Sequence, residues 1–203
     1  MKALLVAMVG ASALLLSVSA HGQAAPIDVP PGTYALDKTH ASLTWRVSHL
    51  GFSMYTARFT DFDATIELDP KQPTRSTVNV RINPMSVRTD FPAPEKIDFD
   101  RKIGEEILKG KEHPEIRFRS TGLVATGPTT GRMTGDLTFL GVTKPVTLDV
   151  RLNGAGPNPF SQAPTIGFSA TGSLQRSAFG STAYAPGIGD TVELLIEAEF
   201  QKK

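Results

Sequence analysis

A chain of 203 residues with 21 basic and 20 acidic side chains has a formal charge of +1. That denies it the basic face a nucleic-acid binder needs to displace counterions, and any strong attraction to anionic lipid surfaces. It contains no cysteine, so it has neither disulfides nor a thiol to carry a lipoprotein-type anchor, and its stability must come from its core.

Residues 1–20 read as an export signal. Lys2 gives a positive start, Ala3 to Leu16 is an uncharged run, and Ser17-Val18-Ser19-Ala20 supplies small residues, with the cut expected after Ala20. The run is too short for a stable membrane span. Its removal leaves 183 residues with 20 basic and 20 acidic side chains, a length that fits one domain with a sizeable core, and it implies a periplasmic or secreted protein. Residues 21–33, rich in Ala, Pro and Gly, are expected to form a flexible leader, with the folded domain over 34–203.

Tyr34 to Leu36 starts a strand, and Asp37-Lys38-Thr39 is expected to turn into a second one. From His40 to Val47 the chain alternates: Ala41, Leu43, Trp45 and Val47 share one face, while Ser42, Thr44, Arg46 and Ser48 share the other. Gly51 marks a reversal. Tyr55 to Leu68 reads as one long strand, in which Tyr55, Ala57 and Phe59 have one parity and Phe62, Ala64, Ile66 and Leu68 the other. The switch near Thr60-Asp61 predicts a bulge. Asp69 to Pro73 is a turn, and Thr77 to Asn83 follows with Val78, Val80 and Ile82 on one face. Between Pro92 and Lys111 the period changes. Ile103, Ile107 and Leu108 fall at helical spacing and predict one short amphipathic helix stopped at Gly110. Strands resume over Pro114–Thr121 and Arg132–Leu140. A tight turn is expected over Gly141-Val142-Thr143-Lys144-Pro145. Val146–Leu152, Ile166–Leu174 and Val192–Phe200 alternate cleanly thereafter.

About eight strands in hairpin-like succession, with no βαβ alternation, make the class all-β and antiparallel. Sandwich and closed barrel both remain open on pattern alone. No G-x-S-x-G elbow is present, and the acids fall mainly on solvent-facing parities. His40 and His49 bracket the Trp45 strand but differ in parity, so a shared metal would need a bend between them. His21, the N-terminal residue after cleavage, lacks a fixed partner for copper. The surplus is apolar: Trp45, Phe59, Phe118, Phe139, Phe168 and Phe200 lie on inward parities.

Four segments, HASLTWRVSHLGFSMYTARF from His40, HPEIRFRS from His113, GDLTFLGVTKPVTLDV from Gly135 and GFSATGSLQRSAFG from Gly167, come in the order and spacing of the YceI-like family, which the chain resembles from about Tyr34 to Phe200. The family often carries a charged-His-Leu element in its helix; here Asp100-Arg101-Lys102-Ile103 stands there instead. The resemblance implies an eight-stranded antiparallel lipocalin-like barrel with one short amphipathic helix. It also implies an exported, non-enzymatic carrier or sequestering protein that binds an isoprenoid quinone, polyprenyl chain or related amphiphile in an apolar tunnel. The expected wall is Leu43, Trp45, Val47, His49, Phe59, Val78, Val80, Phe118, Phe139, Phe168 and Leu174. Arg46, Arg58 and Arg176 are candidates, with His49, to meet a polar head. A homodimer is left open. The rival readings are a metal-dependent or hydrolytic periplasmic enzyme using His40 and His49, and a stress-response scaffold whose tunnel is incidental.

Overall fold

The computed structural model describes residues 24, 25 and 27–203; the expected export signal and His21 lie outside the described residues. Ten strands form one antiparallel sheet: β1 Gly32–His49, β2 Ser53–Phe59, β3 Phe62–Leu68, β4 Thr77–Ile82, β5 Val87–Arg88, β6 Ile116–Ala125, β7 Thr130–Phe139, β8 Val142–Pro157, β9 Pro164–Gln175 and β10 Ile188–Lys202. The order is β10-β9-β8-β7-β6-β4-β3-β1-β2-β5, and β10 also pairs with β1. That last ladder closes the sheet into a barrel. The start of β1 pairs with β3 and its end with β2, so these two strands are halves of one bent stave. Counted this way the barrel has eight staves, with β5 a two-residue appendage on β2.

The parity switch and the turn expected from the sequence both mark irregular points, but each takes a different form. At Thr60-Asp61 the chain bends and the ladder breaks, giving two strands where one bulged strand was expected. Both backbone and hydroxyl of Thr60 donate to the Ser86 carbonyl, at 3.1 and 3.0 Å, which holds the bend. The two-residue step lets Phe59 and Phe62 both face the interior. At Asp37-Lys38-Thr39 the expected turn is instead a bulge inside a single continuous strand. Leu36 pairs with Phe200 and Ala41 with Ala198, so the residues between them have no counterparts on β10. The Asp37 carboxylate pins this bulge. It accepts from the Thr39 amide at 3.0 Å, the Thr39 hydroxyl at 2.6 Å, His40 Nδ1 at 2.9 Å and Gln201 Nε2 at 3.1 Å.

The turn placed at Gly141–Pro145 lies earlier. Leu140 and Gly141 take positive φ (50° and 77°) between the paired Phe139 and Val142, as a two-residue hairpin turn requires, and Val142 to Pro145 already belong to β8. The helix α1 covers Phe99–Lys102 and widens into a π turn over Ile103–Ile107. Asp98 caps it through the Arg101 amide at 3.0 Å. The left-handed residue at its end is Lys109 (φ 47°), one before the expected Gly110. Asp100 ties the helix to the barrel by accepting from the Thr89 amide and hydroxyl at 2.7 and 2.6 Å. Ordered packing begins ahead of Tyr34: Ile27 and Val29 pack on the apolar cluster around Tyr34, Ile66 and Ile166.

Two predictions follow from this frame. A methyl group on Gly135 would sit 2.3 Å from Phe118 Cζ and 2.6 Å from the Arg119 carbonyl, so Gly135→Ala should cost roughly 1–3 kcal/mol, as other overpacked cores do, read as a lower denaturant midpoint. The second concerns acid. Hydrogen bonds from Thr39 and His40 lower the Asp37 carboxyl from 3.8 to about 2, so its contribution is present above its unfolded value and is lost as pH falls through that window. The Asp37 hydrogen bond raises His40; its contribution is complete below the unfolded histidine value and is lost as pH rises through the higher folded one. Asp37→Asn should flatten both limbs of a plot of melting temperature against pH.

Candidate functional site

Inward residues of every stave surround one cavity of about 770 Å³, within the size range of small-molecule sites. Each strand contributes alternate residues, so the wall repeats the period of two seen in the sequence. β1 places Leu43, Trp45, Val47 and His49 on it, β2 Phe59, β4 Val78 and Val80, β6 Phe118, β7 Phe139, and β9 Phe168 and Leu174. All eleven residues expected on the wall therefore come together around one space. Several also form the buried core, notably Leu43, Phe59, Phe118 and Phe139. The indole Nε1 of Trp45 is buried with no hydrogen-bond acceptor among the described residues.

The two ends differ. At one, Ile27, Leu68, Pro73 and Ser76 line the cavity, and none of them is exposed. At the other stand the β1–β2 turn with His49 and Leu50, the helical segment with Phe99, Lys102, Ile103, Ile107 and Leu108, and the loop 181–187. Here His49, Leu50, Ala183, Tyr184 and Ala185 line the cavity and are also exposed. This end is the mouth. Edge-on contacts between Tyr55 and Phe99, whose ring centroids are 6.0 Å apart, seat the helix against it. The Lys102 ammonium lies 5.9 Å from the centre of the Tyr184 ring and joins helix to loop by a cation–π contact.

The charge distribution is one-sided. Among the described residues, His49, Lys102 and Arg176 line the cavity and no acidic residue does. Among the described residues, no carboxylate lies within ion-pair distance of Lys102. The arginines expected near the head are placed otherwise. Arg46 points out of the barrel and pairs with Glu193 on β10 at 2.6 Å. Arg58 also points outward, 3.6 Å from Asp90. Both have the parity opposite to their inward neighbours Trp45 and Phe59, which turns their side chains to the outer face. Arg176 does face the cavity, but it is buried and braced. Its Nε donates to the Gly189 carbonyl at 2.8 Å, Nη1 to Ser181 at 2.9 Å and Nη2 to Ile188 at 2.9 Å. It holds the mouth loop in place. Lys102, Tyr184 and Leu50, which the sequence reading left off the wall, complete the rim.

His40 and His49 do not share a site. His40 sits on the outer wall with Asp37 and Glu199, whose potential ligand atoms all lie within 4.8 Å of one another. Asp37 already accepts four hydrogen bonds there, which accounts for the cluster as the fastening of the bulge. No helix among the described residues is long and apolar enough to cross a membrane.

Comparison with known proteins agrees with this architecture. The model of the YceI-like domain family matches residues 34–200. A protein of Pseudomonas putida strain GB-1, described only as a UPF0312 protein, is 36% identical over 174 residues, which are 84% of this chain and 86% of that one. The YceI protein of Campylobacter jejuni superimposes with a TM-score of 0.66 at 28% identity, covering 77% of this chain and 90% of that one. A polyisoprenoid binding domain from Saccharophagus degradans shares the fold, with a TM-score of 0.58 at 12% identity over 84% of this chain and 98% of that one. The family match spans the whole barrel, from the first residues of β1 to the end of β10, and the chain belongs to the YceI-like family.

Proposed function

We propose that this protein binds the long apolar tail of an isoprenoid amphiphile, such as a quinone or a polyprenyl chain, along the barrel axis. It then serves as an exported carrier or sequestering protein. The observation that carries this reading is the enclosed space itself, walled by apolar side chains from every stave with no acid among them and with basic groups at one end. The polyisoprenoid binding domain that shares the fold supports the choice of ligand class, and the signal-like residues 1–20 support export.

The energetics are adequate. At about 0.8 kcal/mol per buried CH₂, a tail of about 20 carbons offers about 16 kcal/mol gross. Ordering the tail and the mouth takes back a large part of this. Affinity then rests on tail length, and the head needs only to be tolerated at the rim. A head bearing phosphate or carbonyl oxygens suits Lys102 and His49, the two basic side chains at the mouth that are not braced by backbone carbonyls. No covalent step is needed for this role.

Trp45 reports on the tunnel directly. Titration with a long-chain isoprenoid quinone should quench its fluorescence saturably, and a quinone with a single prenyl unit should bind at least tenfold more weakly. Absence of quenching by every long-chain ligand would overturn the tunnel reading. Ala170 lines the cavity, and Ala170→Phe should plug it and weaken long-tail binding at least tenfold while the melting transition stays cooperative. Lys102→Glu should weaken binding of a polyprenyl phosphate and leave that of the neutral polyprenol within about twofold. Equal effects on both ligands would remove Lys102 from any part in reading the head.

A further inference from the structure

We infer that the rim of the mouth docks on a lipid bilayer, with the β1–β2 turn dipping into it, so that a tail passes between membrane and tunnel without crossing water. This rests on the tunnel reading and names the phase with which the tunnel exchanges. The turn His49-Leu50-Gly51-Phe52 presents apolar groups to solvent. Phe52 is 90% exposed, Leu50 58% and Met54, next along β2, 41%. Tyr184, across the mouth, is 55% exposed. Isolated exposed apolar residues are ordinary, but a contiguous group around an opening marks an interaction surface.

The backbone adds a second argument. Leu50 and Tyr184 both hold positive φ, 54° and 59°, a conformation that disfavours bulky side chains and that such turns usually assign to Asn, Asp or Gly. At the matching turn the left-handed Leu140 is explained by packing on the buried core. Leu50 covers Gly187 yet leaves more than half its surface in solvent. The left-handed turn therefore carries a bulky apolar side chain whose packing uses less than half of its surface.

The chemistry of the rim selects a bilayer as the occupant. Leu50, Ala183, Tyr184 and Ala185 belong at once to the tunnel wall and to the exposed rim, so along these residues the apolar lining is continuous with the surface. Tyr184 with the Lys102 ammonium over its ring pairs an amphipathic aromatic with a cation, as at membrane–water interfaces. With a near-neutral chain, attachment depends on apolar insertion and needs no anionic lipid. A tail that fills the tunnel has almost no free population in water, so exchange has to occur where such tails reside. The opposite end exposes no cavity-lining residue.

Phe52 and Met54 do not line the tunnel, so they separate docking from binding. Phe160, 97% exposed on the β8–β9 loop at the opposite end, is a matched control. The lipid-free protein should co-float with phosphatidylcholine vesicles at both low and high salt. The Phe52→Ser, Met54→Ser double variant should lower that partition at least tenfold. It should also slow transfer of a long-chain quinone from vesicles to the same degree, with affinity for quinone supplied in detergent unchanged. Phe160→Ser should behave as wild type. Failure of the wild-type protein to float, an unaffected double variant, an equal loss from Phe160→Ser, or flotation only on anionic vesicles at low salt would each overturn the docking. A protein that floats but takes up no quinone in detergent would instead overturn the tunnel reading and leave the docking standing.

Discussion

The ladder between β1 and β10 is the constraint on which everything else depends. By closing the sheet it gives β10 a partner on both sides, removes the edge that strand would otherwise present and creates a single interior that every stave must share. Among the described residues no second sheet and no central helix enters that interior, so the wall side chains are packed chiefly against their neighbours on the same wall. A ring such as Phe118 leans sideways over the vacant position at Gly135 and leaves the axis free. Closure also explains why one strand has to be so long. β1 spans 18 residues because it must pair with β10 on one side and with both halves of a bent stave on the other.

Most of this was legible in the chain. Alternation located the staves, and the inward rows through Trp45, Phe118, Phe139 and Phe168 do surround one space. Alternation reports which residues share a face, however, and is silent where the face changes. Asp37 to Thr39 reads as a turn because Asp and Thr are turn residues, yet their side chains fasten a bulge in an unbroken strand. Arg46 and Arg58 are assignable to the outer face from parity alone, since each adjoins an inward residue. Lys102 and the loop 181–187 could not be read the same way. The helical segment is short and widens midway, which blurs its phase, and the loop has no period at all. Only the folded chain brings them over the end of the barrel.

Two charged side chains secure the irregular parts of the frame, and they differ in kind. Asp37 gathers donors around the bulge and can lose its charge in acid. Arg176 gathers three carbonyls at the mouth loop and the adjoining start of β10.

The contact between Phe118 and Gly135 has a consequence for selectivity. Where a large ring on one stave covers an absent side chain on the next, the local bore depends on the pair and on neither residue alone. Volume can be moved from one stave to its neighbour, or removed from both, without altering the hydrogen-bonded ladder or the number of staves. Length is set by the strands and calibre by such pairs, so the two are independent variables. A barrel of this kind can be made wider or narrower at one level while its depth stays the same.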